Sequence, residues 1–119
     1  LIKQAVPKSS EVPQAANKLA ASCDAVFISN DNTMLSAMQS IVKAANLKHI
    51  PLYVSDTAAV PQGAVAALGP DQYSIGVEAG IIIAKILDGH DINKMAIKFP
   101  SKTDICVNSA AAQLAGVKL

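Results

Sequence analysis

The stretch SNDNTMLSAM, residues 29–38, decides the fold. It follows a short apolar run, DAVFIS at 24–29, and it opens a helical one. The apolar run shows no period-two alternation, as expected of a strand covered on both faces. Beyond it, Met34, Met38, Ile41, Val42 and Ala45 recur at helical offsets and predict a helix that follows Asn32 and runs to about Asn46. Strand, polar turn and helix form the repeating unit of a layered α/β sheet, and the same punctuation recurs twice downstream.

Working outward, residues 2–6 (IKQAV) read as a strand. Ser9 or Ser10 is placed to cap the helix that follows, with Glu11 and Pro13 in its first turn. Val12, Ala16, Leu19 and Ala20 share one face of that helix. IPLYVS at 50–55 is a strand, DTAAVPQG at 56–63 a loop, and AVAALG at 64–69 another strand. PDQYS leads into a helix whose Ile75, Ala79, Ile82, Ile83 and Ile86 form a core face, closed near Gly89. MAIKF at 95–99 and DICV at 104–107 read as strands, and SAAAQLAG at 109–116 as a short helix. Strands that alternate with helices over most of the chain predict an α/β fold: a Rossmann-like three-layer α/β/α lobe with a mostly parallel sheet.

Bulk composition narrows the function classes. At 119 residues the chain fits one domain. Hydrophobic residues make up 51% and charged ones 16%, which excludes a disordered tail. Net charge is +1, with lysines scattered and no basic–aromatic interleaving, so no nucleic-acid partner is expected. Cys23 and Cys106 stand far apart without a CxxC pair or a Cys/His cluster. They read as separate thiols, or as a disulfide only in an oxidising compartment, and no metal site is expected. No GxGxxG or GK[ST] phosphate loop is present, and no cofactor is expected. His49 precedes a strand and so falls at the opposite rim from Ser29 and Ser55. A Ser–His–Asp triad is therefore unsupported, and no catalytic residue is assigned.

In a parallel sheet the strands end at one edge, which is where open α/β sheets bind ligands. Three predicted strands end in SNDN, SDT and GPDQY. Asn30, Asp31, Asn32, Asp56 and Tyr73 are therefore the candidate ligand-binding residues. Asp31 or Asn32 is equally placed to cap the next helix, and Asp71 reads as a cap. Asp56 precedes a loop rather than a helix, which makes it the foremost ligand contact. Paired carboxylates at such a rim would also suit Mg²⁺, so a Mg-dependent or regulatory Rossmann-like domain is the alternative reading.

CDAVFISNDNT at 23–33, IPLYVSDTAAVPQGAVAALGPDQYSIGVEAG at 50–80 and CVNSAAAQLAG at 106–116 resemble, in order and spacing, motifs of the substrate-binding proteins of an ABC transporter family. The resemblance covers roughly residues 5–118. It implies the type I periplasmic-binding-protein fold, two Rossmann-like lobes around a cleft, with residues 1–119 forming the C-terminal lobe and 104–119 partly a crossover. Further implications are a small polar solute, such as an amino acid, as ligand, an ABC transporter permease as partner, and a periplasmic or extracellular membrane-anchored location. The effector-sensing core of a transcriptional repressor shares this architecture. Leu1 runs straight into strand-like sequence, so a cut piece of a longer protein is expected, and strand- or helix-mediated self-association of that piece with it.

Overall fold

The computed structural model describes residues 1–119. Four strands form one sheet in the order β1-β2-β3-β4: β1 Val26–Ile28, β2 Leu52–Val54, β3 Ala66–Pro70 and β4 Thr103–Val107. β1 pairs parallel to β2 with Phe27 opposite Tyr53, and β2 pairs parallel to β3 with Tyr53 opposite Ala66. Along β3 and β4 the partner numbers run in opposite senses: Asn108 N–H donates to Val65 O and Asp71 N–H to Lys102 O. β4 is thus the antiparallel member of a mostly parallel sheet.

The chain divides into two compact units, residues 1–68 with 105–119, and residues 69–104. The first holds the principal core. Helix α1, Val12–Ala20, buries Val12, Ala16 and Ala20, the face that the sequence spacing marked. It packs with α3, Met38–Leu47, which buries Met38, Ile41, Val42, Ala44 and Ala45. Together they cover the sheet face carrying Val26, Ile28, Leu52, Val54 and Ala67. On the opposite face, Ala111 and Ala112 of α5, Ser109–Leu114, pack with Val65, Tyr53 and Ala66. Phe27 and Leu68 remain 66% and 62% exposed, so the expectation that both faces are fully covered is corrected.

α5 is anchored by one side chain. Asn108 Oδ1 accepts from Ala111 N–H at 3.0 Å, and Asn108 Nδ2 donates to Val60 O at 3.1 Å. Asn108→Ala removes both a cap and a tie across 48 residues of chain. It is expected to lower unfolding stability by about 1–2 kcal/mol, read as a shift in denaturant midpoint at unchanged slope.

Other differences from the sequence reading have physical causes. The single helix expected after Asn32 and up to about Asn46 breaks at Ala37 into α2, Asn32–Ser36, and α3. Ala37 sits at φ −111°, ψ 17°, off helical geometry, and the Ser40 hydroxyl donates to its carbonyl at 2.7 Å. Residues 2–6 form no strand ladder. Residues 95–99 likewise form no strand, although Ile97 and Phe99 are strand-like residues; both lie more than 80% exposed. The stretch after β2 is a 3-10 helix, Thr57–Gln62, and not an open loop. Its Ala59 and Val60 are buried, and that apolar anchorage winds the segment up.

The second unit carries α4, Gln72–Leu87. None of its residues is buried. The expected core face is corrected: Ile75 and Ile82 are half-buried, while Ala79, Ile83 and Ile86 are exposed. The spacing read the helix itself correctly; it carried no information about what covers the helix.

Candidate functional site

The site is built at the C-terminal ends of β1 and β2. Parallel pairing in register, Ile28 opposite Val54, brings the residues after both strands to one rim. Ser29, Asn30, Asp31 and Asn32 leave β1 there, and Ser55, Asp56 and Thr57 leave β2 beside them. Ser55 N–H donates to Ile28 O at 3.2 Å, which stitches the two exits together. Four sequence-predicted residues, Asn30, Asp31, Asn32 and Asp56, thus share a rim.

Both rim carboxylates are N-caps. Asp31 Oδ1 accepts from Met34 N–H at 3.1 Å at the start of α2. Asp56 Oδ1 accepts from Ala58 N–H at 3.0 Å at the start of the 3-10 helix. The argument that Asp56 has no helix to cap is therefore corrected. Capping occupies one carboxylate oxygen in each case, and an ionised carboxylate offers further acceptor sites on the other. Asn30, Asp31 and Asn32 are exposed, and Ser55, Asp56 and Thr57 half-buried. The rim presents carboxylates, amides and hydroxyls, with no lysine among them. That chemistry suits an ammonium group or hydroxyls on a small solute. No three His, Cys, Asp or Glu side chains gather into a metal-holding group, and both cysteines are free and half-buried.

Tyr73 belongs to the second unit, in the first turn of α4, with its residue 80% exposed. Beside it Asp71 caps the helix, its Oδ1 accepting from Tyr73 N–H at 3.2 Å. The Ser74 hydroxyl donates to Asp71 Oδ2 at 2.5 Å, and Lys102 Nζ lies 3.4 Å from the same oxygen. The Ser74 hydroxyl, joined by the Lys102 ammonium and Tyr73 N–H, holds the Asp71 carboxyl below its ordinary value of 3.8, against a desolvation effect of opposite sign. A lowered folded pKa means that these contacts stabilise above the unfolded value. Their contribution disappears as pH falls through the folded value. A carboxyl NMR titration is expected to place Asp71 below the ordinary aspartate value, and Ser74→Ala to move it back up more than Lys102→Met does. The Asp-x-x-Ser spacing at 71–74 was a legible signal for this lock that the sequence reading left unused.

A parallel sheet whose strand exits carry convergent hydrogen-bonding groups defines a ligand-binding α/β domain. The chain belongs to the ABC transporter substrate binding protein family, which it matches over residues 1–119. It is 30% identical over 108 residues to a tyrosine-binding protein of Clostridioides difficile, covering 91% of this chain and 31% of that protein. It is similar to a conserved domain protein of Vibrio cholerae, with TM-score 0.92 at 31% identity, covering all of this chain and 40% of that one. It is also similar to an ABC domain from Streptococcus pneumonia solved in complex with L-Trp, with TM-score 0.88 at 28% identity, covering 97% of this chain and 39% of that one. The chain therefore spans less than half the length of these relatives. The family is one of solute-binding proteins rather than enzymes, and two of these relatives carry an amino acid in their names. No helix of the chain is long and apolar enough to cross a membrane.

Proposed function

We propose that the chain is one lobe of a two-lobed receptor that delivers an aromatic amino acid to an ABC importer. The observation that carries this is the L-Trp complex of a neighbour superposing on 97% of the chain, joined to a rim suited to an ammonium group. In this reading Asn30, Asp31, Asn32 and Asp56 hold the solute from one side. A second lobe closes from the other. The solute bridges the lobes and stabilises the closed state over the open one, and the permease reads that difference. No bond is made or broken. Such a receptor works in the periplasm or on the outer surface of the cell membrane.

The test is a calorimetric titration of L-Trp and L-Tyr into the 119-residue chain and into the two-lobed protein. Bonds to an ionised group strengthen when water is excluded, and a single lobe stays wet. The isolated chain is expected to bind at least ~100-fold more weakly, about 2.7 kcal/mol. Equal affinity would show that this lobe alone forms the site. Silence from both proteins toward these and other amino acids would overturn the reading.

A further inference from the structure

The 3-10 helix Thr57–Gln62 is weak on its own terms. Helices of this kind longer than about three or four residues are uncommon, and this one spans six with Pro61 inside it. Proline has no N–H, so Ala58 O lacks the donor that the third residue on would otherwise supply. Ala59 and Val60 are buried, which fixes how deep the segment sits. Burial is non-directional and leaves the roll of the helix about its own axis unset. That roll decides where Asp56, the N-cap, aims the carboxylate oxygen left over from its bond to Ala58 N–H.

A directional bond supplies what burial does not. Asn108 Nδ2 donates to Val60 O at 3.1 Å across 48 residues of chain, within the same compact unit. The same carbonyl accepts from Gly63 N–H at 3.1 Å, so both of its lone pairs are engaged. Asn108 is itself held on its other groups. Its N–H donates to Val65 O at 2.9 Å, its Oδ1 accepts from Ala111 N–H at 3.0 Å, and its O accepts from Ala112 N–H at 3.0 Å. One side-chain partner is a donor and the other an acceptor, so a single amide orientation serves both. The bond from Gln39 Nε2 to Gln62 O, by contrast, is exposed and 3.4 Å long.

We infer that Asn108 is a positioning residue of the ligand site: by holding the Val60 carbonyl it sets the roll of Thr57–Gln62 and thereby the aim of the Asp56 carboxylate. It acts through Asp56 rather than on the solute. This rests on the reading of Asp56 as a solute contact, and it adds that the junction between β4 and α5 sets part of the site's geometry.

Asn108→Ser and Asn108→Asp test it, because each keeps an oxygen to cap α5 and loses the amide donor to Val60. In the 119-residue chain the Ala58 amide, bonded to Asp56 Oδ1, is expected to exchange ~5–10-fold faster in both variants, while the Met34 amide, bonded to Asp31 Oδ1, stays within ~2-fold. A general loss of stability would raise both rates together. In the two-lobed protein L-Trp affinity is expected to fall ~5–10-fold in each variant, and by no more than ~2-fold where Asp56→Asn is already present. Equal changes at Ala58 and Met34 overturn the inference. So does an affinity that is unchanged, or that falls as much with Asp56→Asn as without it. Selective loosening of Ala58, with no amino acid bound by wild type or variants, upholds the hold of Asn108 on Asp56 while the solute reading fails.

Discussion

Gly63→Ala is expected to destabilise the chain by about 2–4 kcal/mol, more than any rim substitution, although residue 63 is far from the proposed ligand contacts in role. Gly63 ends the 3-10 helix at φ 124°, ψ 7°, with its N–H donating to Val60 O at 3.1 Å. Side-chain-bearing residues rarely adopt that backbone, and the strain is of order 1–3 kcal/mol. A Cβ here would also stand 2.6 Å from Val42 Cγ1 and 3.1 Å from Cγ2. Val42 is buried on α3 and its branched side chain is held at χ1, so the overlap cannot be relieved by a rotamer change. Overpacking adds about 1–3 kcal/mol, and the lower entropy of an unfolded alanine offsets about 0.4–1. The double variant Gly63→Ala with Val42→Ala separates the terms. If the clash matters, the second substitution costs less in the alanine background than in the wild type. Urea melts of the four proteins give the coupling directly. Unchanged stability in Gly63→Ala would mean that the segment can re-route without loss.

Gly63 also shows which parts of the fold were legible. The apolar runs at 24–29, 50–55 and 64–69 declared strands because β-branched residues without alternation leave few other choices. Each was flanked by a helix or a polar turn, and the rim followed from strand direction alone. Local chemistry was misread at TAAVPQ, where Pro61 and small residues suggested a loop. Burial of Ala59 and Val60 winds it into a 3-10 helix and makes Asp56 a cap. Pattern failed differently for α4. Ile75, Ile82 and Ile86 recur as a core face does, yet periodicity reports only that a face is apolar, not what lies against it. The same limit applies to residues 2–6 and 95–99. β-propensity is realised only where a partner edge exists, and partner edges are a property of the whole sheet.

Asp56→Asn is expected to weaken binding of the amino acid to the two-lobed protein by about 2–4 kcal/mol, the range for breaking a desolvated charge-assisted pair. The structure makes this substitution cleaner than the sequence suggested. Asp56 Oδ1 caps the 3-10 helix through Ala58 N–H, and asparagine caps about as well as aspartate. The amide keeps an oxygen for Ala58, so fold stability should change by only a few tenths of a kcal/mol. What it loses is the negative charge, which in the proposed reading pairs with a solute ammonium group in a closed, water-poor cleft. Asp56→Ala removes charge and cap together, so it should match Asp56→Asn in lost affinity and add about 1 kcal/mol of lost stability. Thermal melts and L-Trp titrations on both variants therefore resolve the two roles of one carboxylate. If Asp56→Asn binds as wild type does while Asp56→Ala melts lower, Asp56 is a cap and nothing more. The ammonium contact would then fall to Asp31, the other rim carboxylate, whose second oxygen is likewise left over from its cap to Met34.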